Sequence, residues 1–595
     1  MKQKQLNLKL IIFFIGSFLL SPALLSIAQT DWSHPQQITS VTSSGDWNSP
    51  TRTYSYAGES NIAVDSQGNW HIVYYESEDN FSPSGNTRRH EIKYLSSGMS
   101  IPVTVATAGP GQAFSYPSIA LDPQDNPRIT YGQYDDLPHG DSQYCYVYSI
   151  MYTQLQRPLE ILDGVDFTAG REVSSDPEKL ASGGTVVEGA VTDGVARLLL
   201  RLSVDKYEPV TFSLQGTGNP TEDGILRSID GSQQGNSITV NPVEVSGKQY
   251  VFAIYQAPEN FVRDSYQEED KKVAERKLPI KVESSSGLQI EQEIKLVRPP
   301  VILVHGLWST KKMWDILNTN YDFKGWLEEK IPGITIFTPS YTNNLSFKEN
   351  KEVIKKAIIE AKESFKKQGI ATVQADVLGH SMGGLLARIY AAGEDYYGKG
   401  RYLNDKNFKE GDINKLITLD SPHYGAFLAD FASRFMNDFN SGVFEESDWA
   451  KLAALLLLIG DWGALEDLTT TSAAITNMNN AEIISKCHTI AGDYVLNYFI
   501  DEQGEKCYIL PGGLFDFVYT LLIEFDYDVF PDIVTGRSDL VVSVSSQEGG
   551  LASNSVSVFG HLHTEATSEE VLNKTVELLN KAENSDSFST SFPKR

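Results

Sequence analysis

Three patterns of apolar and polar positions follow one another along the chain. From 31 to 160, short runs such as NWHIVYY and PRITYG mix aromatic and β-branched residues with polar ones. Gly, Asn, Asp and Pro interrupt them at short intervals, which predicts antiparallel strands. From 161 to 298, VARLLLRLSVD, EPVTFSLQG, NSITVNPVEV and KQYVFAIYQAP alternate or run apolar over strand lengths, with turn residues between. From about Arg298 the pattern changes. PPVILVHG has the continuous apolar run of a buried strand, and FKENKEVIKKAIIEAKESFKKQG repeats Val353, Ala357, Ala361 and Phe365 on one helical face, leaving its lysines to solvent. ATVQADVLGH reads as another strand and SMGGLLARIYAAG as another helix. Strands alternating with helices predict a mostly parallel sheet.

The first region also repeats itself. SNIAVDSQGNWHIVYY (60–75) matches PSIALDPQDNPRITYG (117–132), and a further short strand follows each, EIKYLSS and YSIMYTQ. This is the strand order of a propeller blade, present about twice, so residues 31–160 are expected to form an open blade-like pair rather than a closed ring. The turn AVDSQGNW resembles the Asp-box of sialidase-like propellers, with Ala63 where Ser is usual. Its simpler reading is a hairpin turn capped by Asp65. Residues 161–298 resemble a bacterial Ig-like sandwich, whose expected work is spacing or adhesion, with glycan or cell-surface contact through the β domains.

Length changes the picture: 595 residues imply three or four domains. Residues 1–28 place Lys2, Lys4 and Lys9 before the apolar run LIIFFIGSFLL and end in Ser26-x-Ala28, the pattern of a secretory signal peptide. The chain is expected to be secreted to the extracellular space, cell surface or periplasm, with no transmembrane span once the leader is removed. A net charge of −27 argues against a nucleic-acid partner. Three cysteines, Cys145, Cys487 and Cys507, exclude a disulfide scaffold, although export would allow a Cys487–Cys507 bridge. No CxxC or HExxH spacing points to a metal, and no organic cofactor is implied.

The candidate chemistry lies in ADVLGHSMGG, 375–384. A G-x-S-x-G pentapeptide between a strand and a helix predicts a nucleophile elbow, with Ser381 on the strained turn and Gly379 and Gly383 admitting its tightness. The helix start behind it favours developing negative charge. Earlier, PPVILV ends in His305-Gly306-Leu307-Trp308, the turn that supplies a second oxyanion N–H in such a fold, so Leu307 and Met382 are the expected donors.

VHGLWS, ADVLGHSMGG and TLDSPHYG, in this order, resemble the lipase/esterase branch of the α/β-hydrolase superfamily. Bacterial lipases and the deacylases of phosphatidylinositol-type anchors belong there. The resemblance covers about 299–583 and implies an ester or lipid substrate, a Ser-acid-His order and no cofactor. In DIVTGRSDLVVSVSSQ, Asp539 matches the family's Asp-Gly-x-Val pattern, with Leu540 in place of Gly. Asp420, ending KLITLD, is the alternative acid. His561 and His563 lie between the last strand and the last helix, and His563 is preferred because the family's base sits a few residues before that helix. The insertion of about 426–480, with the apolar run KLAALLLLIGDWGAL, reads as a cap or lid, and 584–595 as a polar tail. The expected activity is carboxylic ester hydrolysis, of lipid acyl esters first. The alternative is a surface adhesive or glycan-binding protein carrying a degenerate hydrolase domain.

Overall fold

The computed structural model of the chain describes residues 43 to 592 except 45–51, 66–68, 82–86, 97–101, 110–111, 122–126, 139–143, 155–158, 205, 286, 316–321, 393–401, 442–462, 482, 484, 495–496, 501–505, 510–536 and 589–591. The leader and most of the apolar run at 451–462 lie outside the described residues. Two compact units result, Met1–Arg157 and Pro158–Arg595.

In the first unit the internal repeat becomes geometry. Arg52–Val64, Trp70–Phe81 and Thr87–Ser96 form one antiparallel meander, and Gln112–Leu121, Pro127–Pro138 and Tyr144–Gln154 form the other. The first strand of each is bulged at the same place, between Gly58 and Asn61 and between Ser115 and Ser118. The bulges put Glu59 and Tyr116 at φ of 48° and 51°. They are also linked, since the Tyr116 N–H donates to Glu59 Oε2 at 2.7 Å. Both meanders bury Val73, Ile92, Phe114, Ile119 and Ile129 in one core. In the turn after Val64 the Asp65 Oδ1 accepts the Asn69 N–H at 2.8 Å, the capped hairpin turn.

The second unit begins as two facing sheets. One joins Ser237–Val240, Val210–Leu214, Glu275–Ser284, Gln289–Val297, Gly189–Val191 and Ile370–Ala371; the other is built on Arg197–Val204 and Lys248–Gln256. Ile370–Ala371 belongs to the later α/β region, yet it pairs in parallel with Gly189–Val191. Phe365, Ile370, Val373 and Phe408 are buried in the same core as Leu198, Leu200, Phe212 and Val282. Arg298, at the junction, stacks on Phe261 at 3.8 Å and donates to the carbonyls of Val273, Pro332 and Asp270. These β-rich residues and the α/β region therefore share a sheet and a core.

The parallel sheet contains β1 (Val301–Val304), β2 (Ile336–Phe337), β3 (Ala375–His380), β4 (Ile413–Leu419), β5 (Lys486–Gly492) and β6 (Val556–Phe559), in the order β2-β1-β3-β4-β5-β6. The helices that position the site are α1 (Phe323–Lys330), α2 (Val353–Lys367), α3 (Met382–Ala391), α4 (Phe427–Asn440), α5 (Ala473–Asn480) and α6 (Glu569–Leu579). Period-two alternation sorts the strand residues between two cores. Ile302, Val304 and Val377 face α2 and α3, while Val301, Leu303 and Leu378 face α1 and α6. Both faces are covered, so β1 is apolar throughout, and the polar residues of β3 and β4, such as Asp376, Asn414 and Lys415, are buried. Register aligns Val304 with Gly379, His380 with Leu419, and Gly492 with Phe559, so residues following β1, β3, β4 and β6 emerge together at the carboxyl edge.

The end of the chain is less free than its composition suggests. Phe588 packs with Leu572 and Leu578 of α6, and Phe592 joins the core beside α3. Phe592 covers Arg388, whose guanidinium is fully buried and lies 4.1 Å from the ring. In the cap region Ala464 and Leu465 are buried. No described helix is long and apolar enough to cross a membrane.

Candidate active site

Ser381 links β3 to α3 with φ 53° and ψ −125°, a conformation a side-chain-bearing residue adopts only under constraint. Its N–H donates to Leu419 O at 2.8 Å, which ties the elbow to β4. A Cβ at Gly379 would stand 2.4 Å from Gly384 N, and one at Gly383 2.4 Å from Val304 O. The glycines of the pentapeptide are thus required by space: α3 starts in contact with the sheet.

His563 follows β6 in a short 3-10 turn. Its Nε2 is 2.9 Å from Ser381 Oγ and its Nδ1 is 2.7 Å from Asp539 Oδ2. The other Asp539 oxygen accepts the N–H groups of Val541 and Val542 at 2.9 and 2.8 Å, and the Asp539 carbonyl receives the His563 N–H at 3.1 Å. Leu540, the departure from glycine, has φ 72°, so the turn demands the left-handed region that glycine enters freely. The Leu540 side chain is buried in the core beside α3, and that burial offsets part of the strain.

Asp539 is fully buried and His563 nearly so. Burial opposes a charge on His563, but the Asp539 carboxylate and its hydrogen bond outweigh it and raise the imidazole above its ordinary value. His380, inside the pentapeptide, behaves oppositely. Burial, aided by the neighbouring His563, lowers it to about 3, so it stays neutral and donates Nε2–H to the His563 carbonyl at 3.0 Å.

The alternative acid and base lie beside this arrangement without joining it. Asp420 has φ 50° and accepts from His561 Nε2 at 3.0 and 3.1 Å. Burial raises the Asp420 carboxyl despite that partner, whereas on His561 the Asp420 charge overrides burial and raises the imidazole. His380, Asp420 and His563 bring ligand atoms within 4.8 Å of one another. Both His563 nitrogens are already engaged, and Asp420 is held by His561, so these donors are spent on hydrogen bonds.

After β1, Gly306 passes directly over the elbow: a Cβ there would meet Ser381 Cβ at 2.7 Å and Oγ at 3.2 Å. Leu307 comes next, then Trp308, which is 42% exposed with φ 55°. His305 is stacked on Tyr341 at 4.4 Å and buried, and burial keeps it below its ordinary value. Its ring Nδ1 contacts Gly306 O and Asn343 Nδ2, not Ser381. Cys487 is a free thiol buried in β5, where burial pushes it up to about 12; the Cys487–Cys507 bridge is not formed. The sequence reading missed His380 as a support of His563, the 341–343 segment under the β1 turn, and buried Arg388. Only Arg388 left a signal, a charge within a helix that is otherwise apolar.

Comparison with known proteins agrees with the resemblance read from the three motifs. Residues 296–472 match the family of PGAP1-like alpha/beta domains, a span that holds the β1 turn, Ser381 and Asp420. No curated protein matches the chain. Among solved structures, phospholipase PlaB from Legionella pneumophila in complex with thio-NAD aligns at 16% identity and TM-score 0.26, covering 42% of this chain and 44% of that one. An esterase of Pyrococcus furiosus aligns at 12% identity and TM-score 0.24, covering 52% and 92%. Esterase B from Lactobacillus rhamnosis aligns at 11% identity and TM-score 0.22, covering 54% and 85%. The chain thus spans less than half the length of PlaB. Residues 296–472 are similar to a PGAP1-like alpha/beta domain, and they follow a β-rich N-terminal half in the chain.

Proposed function

We propose that this chain is a serine hydrolase that cleaves carboxylic esters, with acyl lipids as its main substrate class. One observation carries the reading: the Ser381 hydroxyl, on a strained elbow, is 2.9 Å from an imidazole whose other nitrogen meets a buried carboxylate at 2.7 Å. His563 Nε2 takes the hydroxyl proton as Ser381 Oγ attacks the ester carbonyl. The Leu307 and Met382 N–H groups stabilise the oxyanion, and Asp539 steadies the imidazolium. Collapse expels the alcohol, which leaves with the proton from His563. Water, activated by the same imidazole, then releases the acid and restores Ser381. None of these steps calls for a metal or cofactor.

The preference for acyl lipids rests on the family match and on Trp308, an exposed aromatic next to the oxyanion turn. The basic-apolar leader supports export. The paired, bulged meanders support a propeller-blade-like pair, and the two facing sheets an Ig-like sandwich; contact with a glycan or cell surface is the role we assign to them. A purely adhesive protein would have no use for the hydrogen-bonded serine, histidine and aspartate.

The test is a panel of p-nitrophenyl esters from acetate to palmitate, with a fluorophosphonate probe and Ser381→Ala as control. Turnover and labelling by the wild type, both lost in the variant, support the proposal. Equal labelling of the two proteins sinks it.

A further inference from the structure

The turn that carries Leu307 is held by residues 341 and 343 of a neighbouring segment. Asn343 Nδ2 donates to the Gly306 carbonyl at 2.7 Å and to the Ser309 carbonyl at 2.6 Å, so both amide protons are spent on this turn. His305 Nδ1 adds a second contact to Gly306 O at 3.1 Å. Two residues before Asn343, the Tyr341 hydroxyl donates to His305 O, and its ring stacks on His305. The carbonyls of residues 305, 306 and 309 are therefore all fixed by residues 341 and 343.

The Gly306 carbonyl and the Leu307 N–H belong to one peptide unit. That unit is planar and trans, so the two groups point in opposite directions. Fixing the carbonyl on Asn343 consequently aims the N–H to the other side, and Gly306 itself lies against Ser381. Rotating this peptide would turn the carbonyl toward the serine and abolish one oxyanion donor. The turn already contains a strained residue, Trp308 at φ 55°, so it needs external restraint.

We propose that Asn343 is a positioning residue for oxyanion stabilisation: its amide holds the Gly306–Leu307 peptide in the orientation that presents the Leu307 N–H to the reacting carbonyl. The inference rests on the ester-hydrolase reading above. It assigns to Asn343 no contact with substrate.

The experiment uses full-length Asn343→Leu, close in size and unable to donate, with Asn343→Asp and Tyr341→Phe as companions. Each is assayed on a soluble short-chain ester and titrated with a phenylboronic acid, whose tetrahedral adduct on Ser381 places an oxygen in the oxyanion position. Asn343→Leu and Asn343→Asp should lose about 10²-fold in kcat with KM nearly unchanged, since an oxyanion donor acts mainly on the transition state. Boronate affinity should fall in parallel, while the acid limb of the pH profile stays in place because His563 and Asp539 are untouched. Tyr341→Phe, which keeps the ring, should show a smaller loss of the same kind. Unchanged kcat and boronate affinity in a folded Asn343 variant overturns the inference, as does a loss confined to KM. If Asn343→Leu does not fold, Asn343→Asp decides by the same readouts. Wild-type turnover beside an Asn343 variant with unchanged kcat and boronate affinity defeats the positioning role alone. A wild type that neither turns over esters nor labels at Ser381 defeats the ester-hydrolase reading as well.

Discussion

His561 Nε2 meets both oxygens of the Asp420 carboxylate, at 3.0 and 3.1 Å. The second acid and the second base of this site are thus partners of each other, and Asp539 and His563 form a separate pair. Because the two pairs are both buried, removing either carboxylate has consequences of a different kind.

For Asp539→Asn, kcat should fall by about 10⁴ at neutral pH with the fold retained, since the imidazole loses its orientation and its counter-charge. Asp420→Asn should keep kcat within about tenfold. Its effect is on stability, about 3 kcal/mol, because breaking a buried pair leaves the remaining partner uncompensated. Steady-state kinetics and urea unfolding of both variants separate the two. If Asp420→Asn is the inactive protein, the acid comes from the end of β4.

The pH profile follows from the raised imidazole. The base must be neutral to accept the Ser381 proton, so kcat/KM should drop as pH falls through the His563 value, which lies above the ordinary ~6.5. Asp539→Asn removes the charge that raises it, and the limb should move down. Stability runs the other way. A raised folded-state value favours the protonated form, so the His563–Asp539 contribution is fully present below about pH 6.5 and is lost as pH rises through the folded value. Rate profiles of the wild type and variant check the first sign, and pH-dependent unfolding checks the second.

Removing residues 1–157 should leave ester hydrolysis intact, because Pro158–Arg595 is a compact unit that holds every proposed catalytic group. A fragment starting at Pro299 should fail to give soluble, active protein. It would strip Ile370–Ala371 of its partner Gly189–Val191 and expose Phe365, Val373 and Phe408. Expression of both fragments and assay of the soluble fractions decides the matter. An active Pro299 fragment would show that the shared sheet is dispensable.

Phe592→Ala should destabilise the protein by about 3–5 kcal/mol, the usual cost of truncating a buried phenylalanine. The ring covers the Arg388 guanidinium and sits 4.3 Å from the His423 ring, so its loss opens a buried cation to water. A shift in the denaturant midpoint reads this out. A midpoint unchanged from wild type would mean that the C-terminal contact contributes nothing.

What the sequence by itself determined is the local steric logic of this protein. The elbow is legible because a Cβ at Gly379 or Gly383 would stand 2.4 Å from backbone atoms, and such demands are met within a few residues of chain. The alternation of strand and helix is legible for a similar reason, since burial on both faces makes β1 apolar throughout and leaves β3 an apolar run, Val377–Leu378, between Asp376 and the elbow. Leu540 hid the acid's turn slightly, because a buried leucine there tolerates the φ of 72° that usually selects glycine. Only the tertiary structure decided which aspartate meets which histidine. Asp420 follows an apolar segment and Asp539 precedes one, and His561 and His563 are two residues apart, so no spacing distinguishes the pairings. Sheet register does, by bringing Ser381 to a histidine 182 positions away and leaving Asp420 to the other. Asn343 and the strand Ile370–Ala371 were illegible for the same reason. Their partners are distant in sequence, and a hydrogen bond to a remote backbone group leaves no periodic trace in the residues that make it.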